Sequence, residues 1–237
     1  MINYEDAVKK PFTDLGKLFL GIILSAVPVI NWVTQGFVLE CSGVGSNKPS
    51  RKMPGWNKFE DLFIKGFMSY LIMFIYAIPS LIVLTLSIGY TAAYLLPTFI
   101  GLMPEGVSTT VAAGGLREIF SQNWMQMLPT LLSMSAIVIP MILLGLLLML
   151  VAVFLSPIGI LNYIKTKKFG KAFDLNLVTK KAFKSKYVLA WLVSVIIAMV
   201  LKSVLILWLG PWIGSAATFF ISSTIAFSLF GQLFIEK

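Results

Sequence analysis

Apolar residues run along this chain in long blocks, not in alternation. Six blocks stand out, at about 18–39, 62–86, 88–103, 128–161, 187–209 and 211–234. No Asp, Glu, Lys or Arg occurs between Lys65 and Glu105, between Glu118 and Lys165, or between Lys202 and Glu236. A hydrocarbon core about 30 Å thick is crossed by about 20 helical residues. Inside it every backbone polar group must be bonded within the chain, which favours helices over irregular segments. A transmembrane barrel would show short alternating strands instead. The pattern therefore predicts an all-α, polytopic membrane helix bundle forming a single integral membrane domain over residues 1–237. About six membrane-embedded helices are expected, re-entrant ones among them, with short interfacial amphipathic helices besides.

Polar and helix-breaking residues punctuate the blocks. Residues 3–11 read as a short surface helix, with Asn3 as its cap, Glu5 and Asp6 at its positive end and Pro11 as its stop. Pro28 and Asn31 interrupt 18–39, leaving a kinked span or a re-entrant hairpin open. Residues 41–61 are rich in Gly, Ser and Pro and read as a loop, with Trp56 and Phe59 placed at headgroup level. Gly89 and Pro97 are the expected bend points between 62–86 and 88–103, and Gly114-Gly115 a break before an interfacial helix at Leu116–Met127. The block 128–161 contains Pro129, Pro140 and Pro157 and is long enough to tilt strongly. Asp174 can cap a helix starting at Leu175, on which Leu175, Val178 and Ala182 share one face and Lys180, Lys181 and Lys184 the other. Gly210-Pro211 parts the last two blocks into a hairpin.

Composition agrees with a membrane class and adds a direction. Of 237 residues, 58% are hydrophobic and 12% charged, against about 25% charged in soluble domains; the mean hydropathy is +0.89. The net charge is +9. Its lysines flank apolar blocks, so anionic lipid headgroups, not nucleic acid, are the expected partner. The segment 163–186 carries Lys165, Lys167, Lys168, Lys171, Lys180, Lys181, Lys184 and Lys186 against Asp174 alone. Short loops rich in Lys and Arg stay in the cytoplasm, which predicts a multi-pass cell-membrane protein with 163–186 and both termini inside. One loop conflicts. If every block crosses, residues 41–61 lie outside although they carry Lys48, Arg51, Lys52 and Lys58. A re-entrant first block would return that loop inside.

Candidate chemistry is sparse. The chain has no histidine and one cysteine, Cys41, so an internal disulfide is impossible and the common zinc, haem and general-base arrangements are missing. No phosphate-binding glycine loop or serine nucleophile motif is present. No catalytic residue, cofactor or metal is expected, and the chain is read as a non-enzyme. Three polar residues stand inside apolar blocks. Lys202 lies about 10 Å from the Leu209 end of its helix, where a charge costs about 2.5–3.5 kcal/mol unless it snorkels or pairs. Glu40, Glu105 and Glu118 are its candidate partners. Asn31 and Gln35, one turn apart after Pro28, could hold a polar solute at a broken helix, or could simply hydrogen-bond neighbouring helices. The lysines at 165, 167, 168, 171, 180, 181 and 184 are candidate lipid-headgroup contacts.

Several patches resemble a known family. They are Pro28-Val-Ile-Asn31, Pro54-Gly-Trp-Asn-Lys-Phe-Glu-Asp-Leu-Phe-Ile-Lys-Gly66, Tyr163, Phe169-Gly-Lys-Ala-Phe173 and Gly231-Gln232. In these the chain resembles the multi-pass membrane proteins of the domain-of-unknown-function 4013 family, over most of its length. The resemblance implies membrane location and length, and no activity. The expected function is that of a non-enzymatic protein that organises the membrane or binds other membrane subunits, itself or others. The alternative is a small-solute or ion transporter or channel using Asn31, Gln35 and Lys202.

Overall fold

The computed structural model describes residues 3–48, 51–101 and 113–236, with side chains outside 98–101, 113–124, 126, 127 and 130. Seven helices follow one another, with no strand among the described residues: α1 (Tyr4–Lys9), α2 (Leu15–Ser25), α3 (Asn31–Cys41), α4 (Phe59–Gly101), α5 (Ala113–Thr166), α6 (Leu175–Ala182) and α7 (Ser185–Ile235). Among the described residues three stretches are long and apolar enough to cross a membrane: Phe59–Pro97, Leu131–Thr166 and Ser185–Ile235. The third is two helices, because Gly210, with φ 75° and ψ 170°, breaks it. The chain divides into two compact units, residues 1–76 with 153–237 and residues 77–152.

In the first unit the arms of α7 run back along each other. The Tyr187 and Phe230 rings lie 5.2 Å apart, and Lys186 reaches Glu236 at 2.9 Å. This is the hairpin expected at Gly210-Pro211. The 18–39 block is a second, shorter hairpin, not a kinked span. Asp14 caps α2 by accepting from the Lys17 amide at 3.1 Å, and the chain turns over residues 26–30, where Val29 has φ 70°. Both open ends of this hairpin meet: the Lys10 ammonium donates to the Cys41 carbonyl, and Lys17 Nζ to the Met53 carbonyl at 3.3 Å. At the tip, Trp212 Nε1 donates to the Ala26 carbonyl at 3.2 Å.

The short hairpin is held by close backbone approach. A Cβ on Gly36 would overlap the Leu62 carbonyl, and one on Gly66 the Trp32 carbonyl, so α3 and α4 touch backbone to backbone. Gly231 abuts Ser42 in the same way. Trp56 stacks on Phe37 at 3.9 Å and 8° and is buried. The loop thus folds Trp56 over α3 and into the core, while Phe59 stays exposed.

Elsewhere the expected breaks are absent. α4 runs unbroken through Gly89 and Pro97, and α5 takes in Gly114-Gly115, Pro129, Pro140 and Pro157. The blocks 62–86 and 88–103 are therefore one helix, and 116–127 continues into 128–161. A proline inside a helix removes one backbone bond, at a cost of about 3 kcal/mol, and the rest of a long helix can carry that cost. In the second unit Ser80 donates to the Gly145 carbonyl at 2.8 Å, and Gly145 lies against Leu84.

Two short elements follow α5. A 3-10 turn at Phe169–Phe173 accepts Tyr76 Oη on the Ala172 carbonyl at 2.8 Å and Asn162 Nδ2 on the Lys171 carbonyl at 2.6 Å. Asp174 caps α6 as expected, taking the Leu177 amide at 3.3 Å. The inner face of α6 is Val178 and Ala182 with Leu177 against them, while Leu175 points outward. The expected face is thus rotated, and Lys181 turns inward with it.

Candidate functional site

Four sequence segments assemble at one end of the first unit: 3–17, 41–58, 163–186 and 231–236. Asn3 and Gln232 exchange hydrogen bonds at 2.8 and 3.3 Å. Arg51 pairs with Asp6 at 2.8 Å. Lys181 Nζ donates to the Phe234 carbonyl at 2.8 Å and lies 3.7 Å from that ring's centroid. The contact has an electrostatic origin, since the ring face is negative. Burial, then Lys165 and Lys184, lower the Lys181 pKa. Burial likewise lowers that of Lys10, which is almost enclosed beneath the hairpin.

The other lysines of 163–186 stand differently. Lys165, Lys167, Lys168, Lys171, Lys180 and Lys184 are exposed. Lys171 has a loose pair with Asp174 at 3.4 Å. So the candidate headgroup strip presents itself to the surroundings except at Lys181, which stitches α6 to the end of α7.

Beside the strip lies a cavity of about 580 Å³, walled by the loop after α3, the start of α4 and the end of α5. Four lysines line it, Lys52, Lys58, Lys65 and Lys167, against two carboxylates, Glu40 and Asp61. Lys65 takes both carboxylates, Glu40 at 2.8 Å and Asp61 at 2.5 Å. The acids in this wall thus already hold a cation. Lys52 and Lys58 carry part of the charge that seemed to have the wrong sign for an outside loop. The hairpin at Pro28 returns them to the end where Lys167 stands. The signal was present in the charge conflict; only the meeting with α5 was hidden.

Two of the three intramembrane candidates, Asn31 and Gln35, share one face of α3. Asn31 Nδ2 donates to Tyr70 Oη at 3.2 Å, while Asn31 Oδ1, Thr34 Oγ1 and Gln35 Oε1 are buried without a partner among the described residues. These three lie at i, i+3 and i+4, on one face of α3. Lys202 is exposed. No hydrogen bond or ion pair with a described residue is recorded for it, and its candidate partner Glu40 is held by Lys65 instead. Glu105 and the Glu118 side chain lie outside the described residues. Among those residues no three His, Cys, Asp or Glu side chains gather.

The patches that carried the family resemblance supply packing positions and part of the cavity wall, where Pro54, Lys58, Asp61, Ile64, Lys65 and Tyr163 stand. Pro28 to Asn31 is a hairpin tip; Trp56, Leu62 and Gly66 clamp that hairpin; Ala172 anchors Tyr76; Gly231 and Gln232 hold Ser42 and Asn3. The family model described as "Protein of unknown function (DUF4013)" matches residues 19–210. No curated protein and no solved structure matches the chain.

Proposed function

The chain belongs to the DUF4013 family of proteins of unknown function, and from that premise we propose a non-enzymatic integral membrane protein that organises anionic lipid, and through it neighbouring subunits, at one basic end. Six membrane-embedded helices make up the reading: α4, α5 and the two arms of α7 as crossings, α2 and α3 as a re-entrant pair. Each arm of that pair has 11 residues, about 16 Å of helix, roughly half of a core about 30 Å thick. The basic end then faces the cytoplasm, where Lys and Arg collect. The single observation that carries the reading is the convergence of the 41–58 loop with 163–186, because it removes the one conflict in the charge pattern.

Lipid selectivity tests it. Spin-labelled phosphatidylglycerol and phosphatidylcholine, compared around the protein in nanodiscs, should differ several-fold in immobilised fraction at low salt. The preference should fade at 1 M salt, where the screening length is about 3 Å. Equal immobilisation of both lipids at low salt would overturn the proposal. Sidedness is checked with Ser46→Cys and Phe183→Cys in sealed vesicles, which should react with an impermeant maleimide from the same side.

A second reading, a small-solute transporter, is favoured by one observation: the unpartnered Asn31, Thr34 and Gln35 oxygens on a helix that starts at a break. Polar atoms left unpaired in a core cost about 1–3 kcal/mol each, and a passing polar solute would offset that. Solute flux into liposomes that is abolished by Gln35→Leu would establish this reading over the first.

A further inference from the structure

We propose that the cavity between the α3–α4 loop and the end of α5 binds one phosphate group, supplied by the headgroup of an anionic phospholipid. The inference rests on the lipid-organising reading and names one discrete site within it. Three features argue for an anion. Lysines from separate parts of the chain line one cavity: Lys52 and Lys58 from the loop, Lys167 from just beyond α5. The carboxylates in its wall, which would repel a phosphate, are both engaged by Lys65. Lys65 offsets one of those two charges, and Lys58 and Lys167 bring the balance of the lining to positive.

The third feature is the backbone at Lys167. This residue follows α5 with φ 54°, and its amide donates to the Tyr163 carbonyl at 2.7 Å. That is the left-handed cap that ends many helices, a position usually filled by glycine or asparagine. A lysine there is conformationally the worse choice. Its side chain lines the cavity, which gives a reason for keeping it: the cap aims Lys167 at the same space as Lys58. Size agrees too. A cavity of about 580 Å³ falls within the roughly 300–1,000 Å³ of ordinary small-ligand sites, enough for a phosphate with its glycerol. The position, at the charged end of two candidate spans, is where a lipid headgroup would arrive.

Lys167→Gly makes the test clean, since glycine suits φ 54° and should leave the fold intact or firmer. Native mass spectrometry of the detergent-solubilised protein counts bound phosphatidylglycerol, and calorimetry with inorganic phosphate probes the free anion. Wild type should retain one phosphatidylglycerol molecule, with dissociation about fivefold weaker in Lys167→Gly and again in Lys58→Gln, one lysine's share at an anionic surface. Lys180→Gln, on the exposed strip, should leave this single molecule in place. Phosphate binding that is lysine-dependent while lipid is not retained would keep the anion site and replace its source. Retention unchanged in both cavity variants would overturn the site. It would do so even if the spin-label preference for anionic lipid persisted, so the two proposals can fail separately.

Discussion

Two hairpins in the first unit are built with the same device and differ in length. Each turns at a proline beside a residue of positive φ: Pro28 with Val29 at φ 70°, and Pro211 with Gly210 at φ 75°. The short hairpin has arms of 11 residues; those of the long one cover 185–209 and 211–235, about 37 Å each. Arm length decides what each can do. By length each long arm exceeds a hydrocarbon core about 30 Å thick, while each short arm covers about half of one. The support differs accordingly. The short hairpin is clamped by glycine contacts at Gly36 and Gly66 and by the Trp56–Phe37 stack. The long one presents Leu207, Trp208 and Trp212 outward around its tip. The two tips nevertheless meet, since Trp212 Nε1 donates to the Ala26 carbonyl at 3.2 Å, so the short hairpin is held at its tip as well as along α3.

The largest effect should come from breaking the clamp. Gly66→Leu puts a side chain where the Trp32 carbonyl stands. Backbone cannot swing away as a flexible side chain can, so the cost should reach or exceed about 3 kcal/mol, the upper part of ordinary overpacking. Thermal unfolding in detergent, followed by tryptophan fluorescence, checks it. The expected outcome is a chain recovered poorly or melting far below wild type, with Ser46→Cys losing its fixed sidedness. A melt within a degree of wild type would mean that the short hairpin does not depend on α4.

Next in size is the long tip. Gly210, at φ 75° and ψ 170°, occupies a region essentially reserved for glycine, where another residue costs about 1–3 kcal/mol. Gly210→Ala should lower stability by that amount. The same unfolding assay reads it, and lipid retention at the basic end should be unaffected. Loss of retention would show that the tip shapes the far end of the hairpin as well.

Much of this architecture could be read from the residues, and the failures share one cause. Asn3, Asp14 and Asp174 have capping chemistry and short range, and the helices they open begin close to where propensity places them. Gly210-Pro211 is a break in any solvent, because glycine supplies the positive φ. The breaks expected at Gly89, Pro97 and Gly114-Gly115 rest on local propensity, which is a weak prior against the surrounding helix; in α4 and α5 the helix continues. Pro28 differs from Pro97 in its neighbours, since Asn31 and the polar loop beyond it give the chain somewhere to return. Of the site, the charges were visible and their assembly was not. Lys52, Lys58 and Lys167 stand more than a hundred residues apart in part, and only the hairpin brings them to one cavity. That Trp56 stacks on Phe37 depends on a tertiary contact that no local pattern carries.

The smallest effect should have the opposite sign. Val29 is a β-branched residue at φ 70°, a true outlier for its type, and strain of about 1–3 kcal/mol is stored in such positions. Val29→Gly releases it. Glycine also gains freedom in the unfolded chain, which costs back roughly 0.5–1 kcal/mol, and an exposed valine at the tip gives up little packing. A net gain of about 1 kcal/mol follows, a rise of about 2–4 °C in the melting temperature for a chain of this size. The two tips would then be alike in residue as well as in φ. If the melting temperature falls instead, the valine side chain contributes more at the hairpin tip than its backbone costs. The tip would then be a buried contact in the membrane, and the short hairpin's end, like its base, would be held by packing and not by the turn.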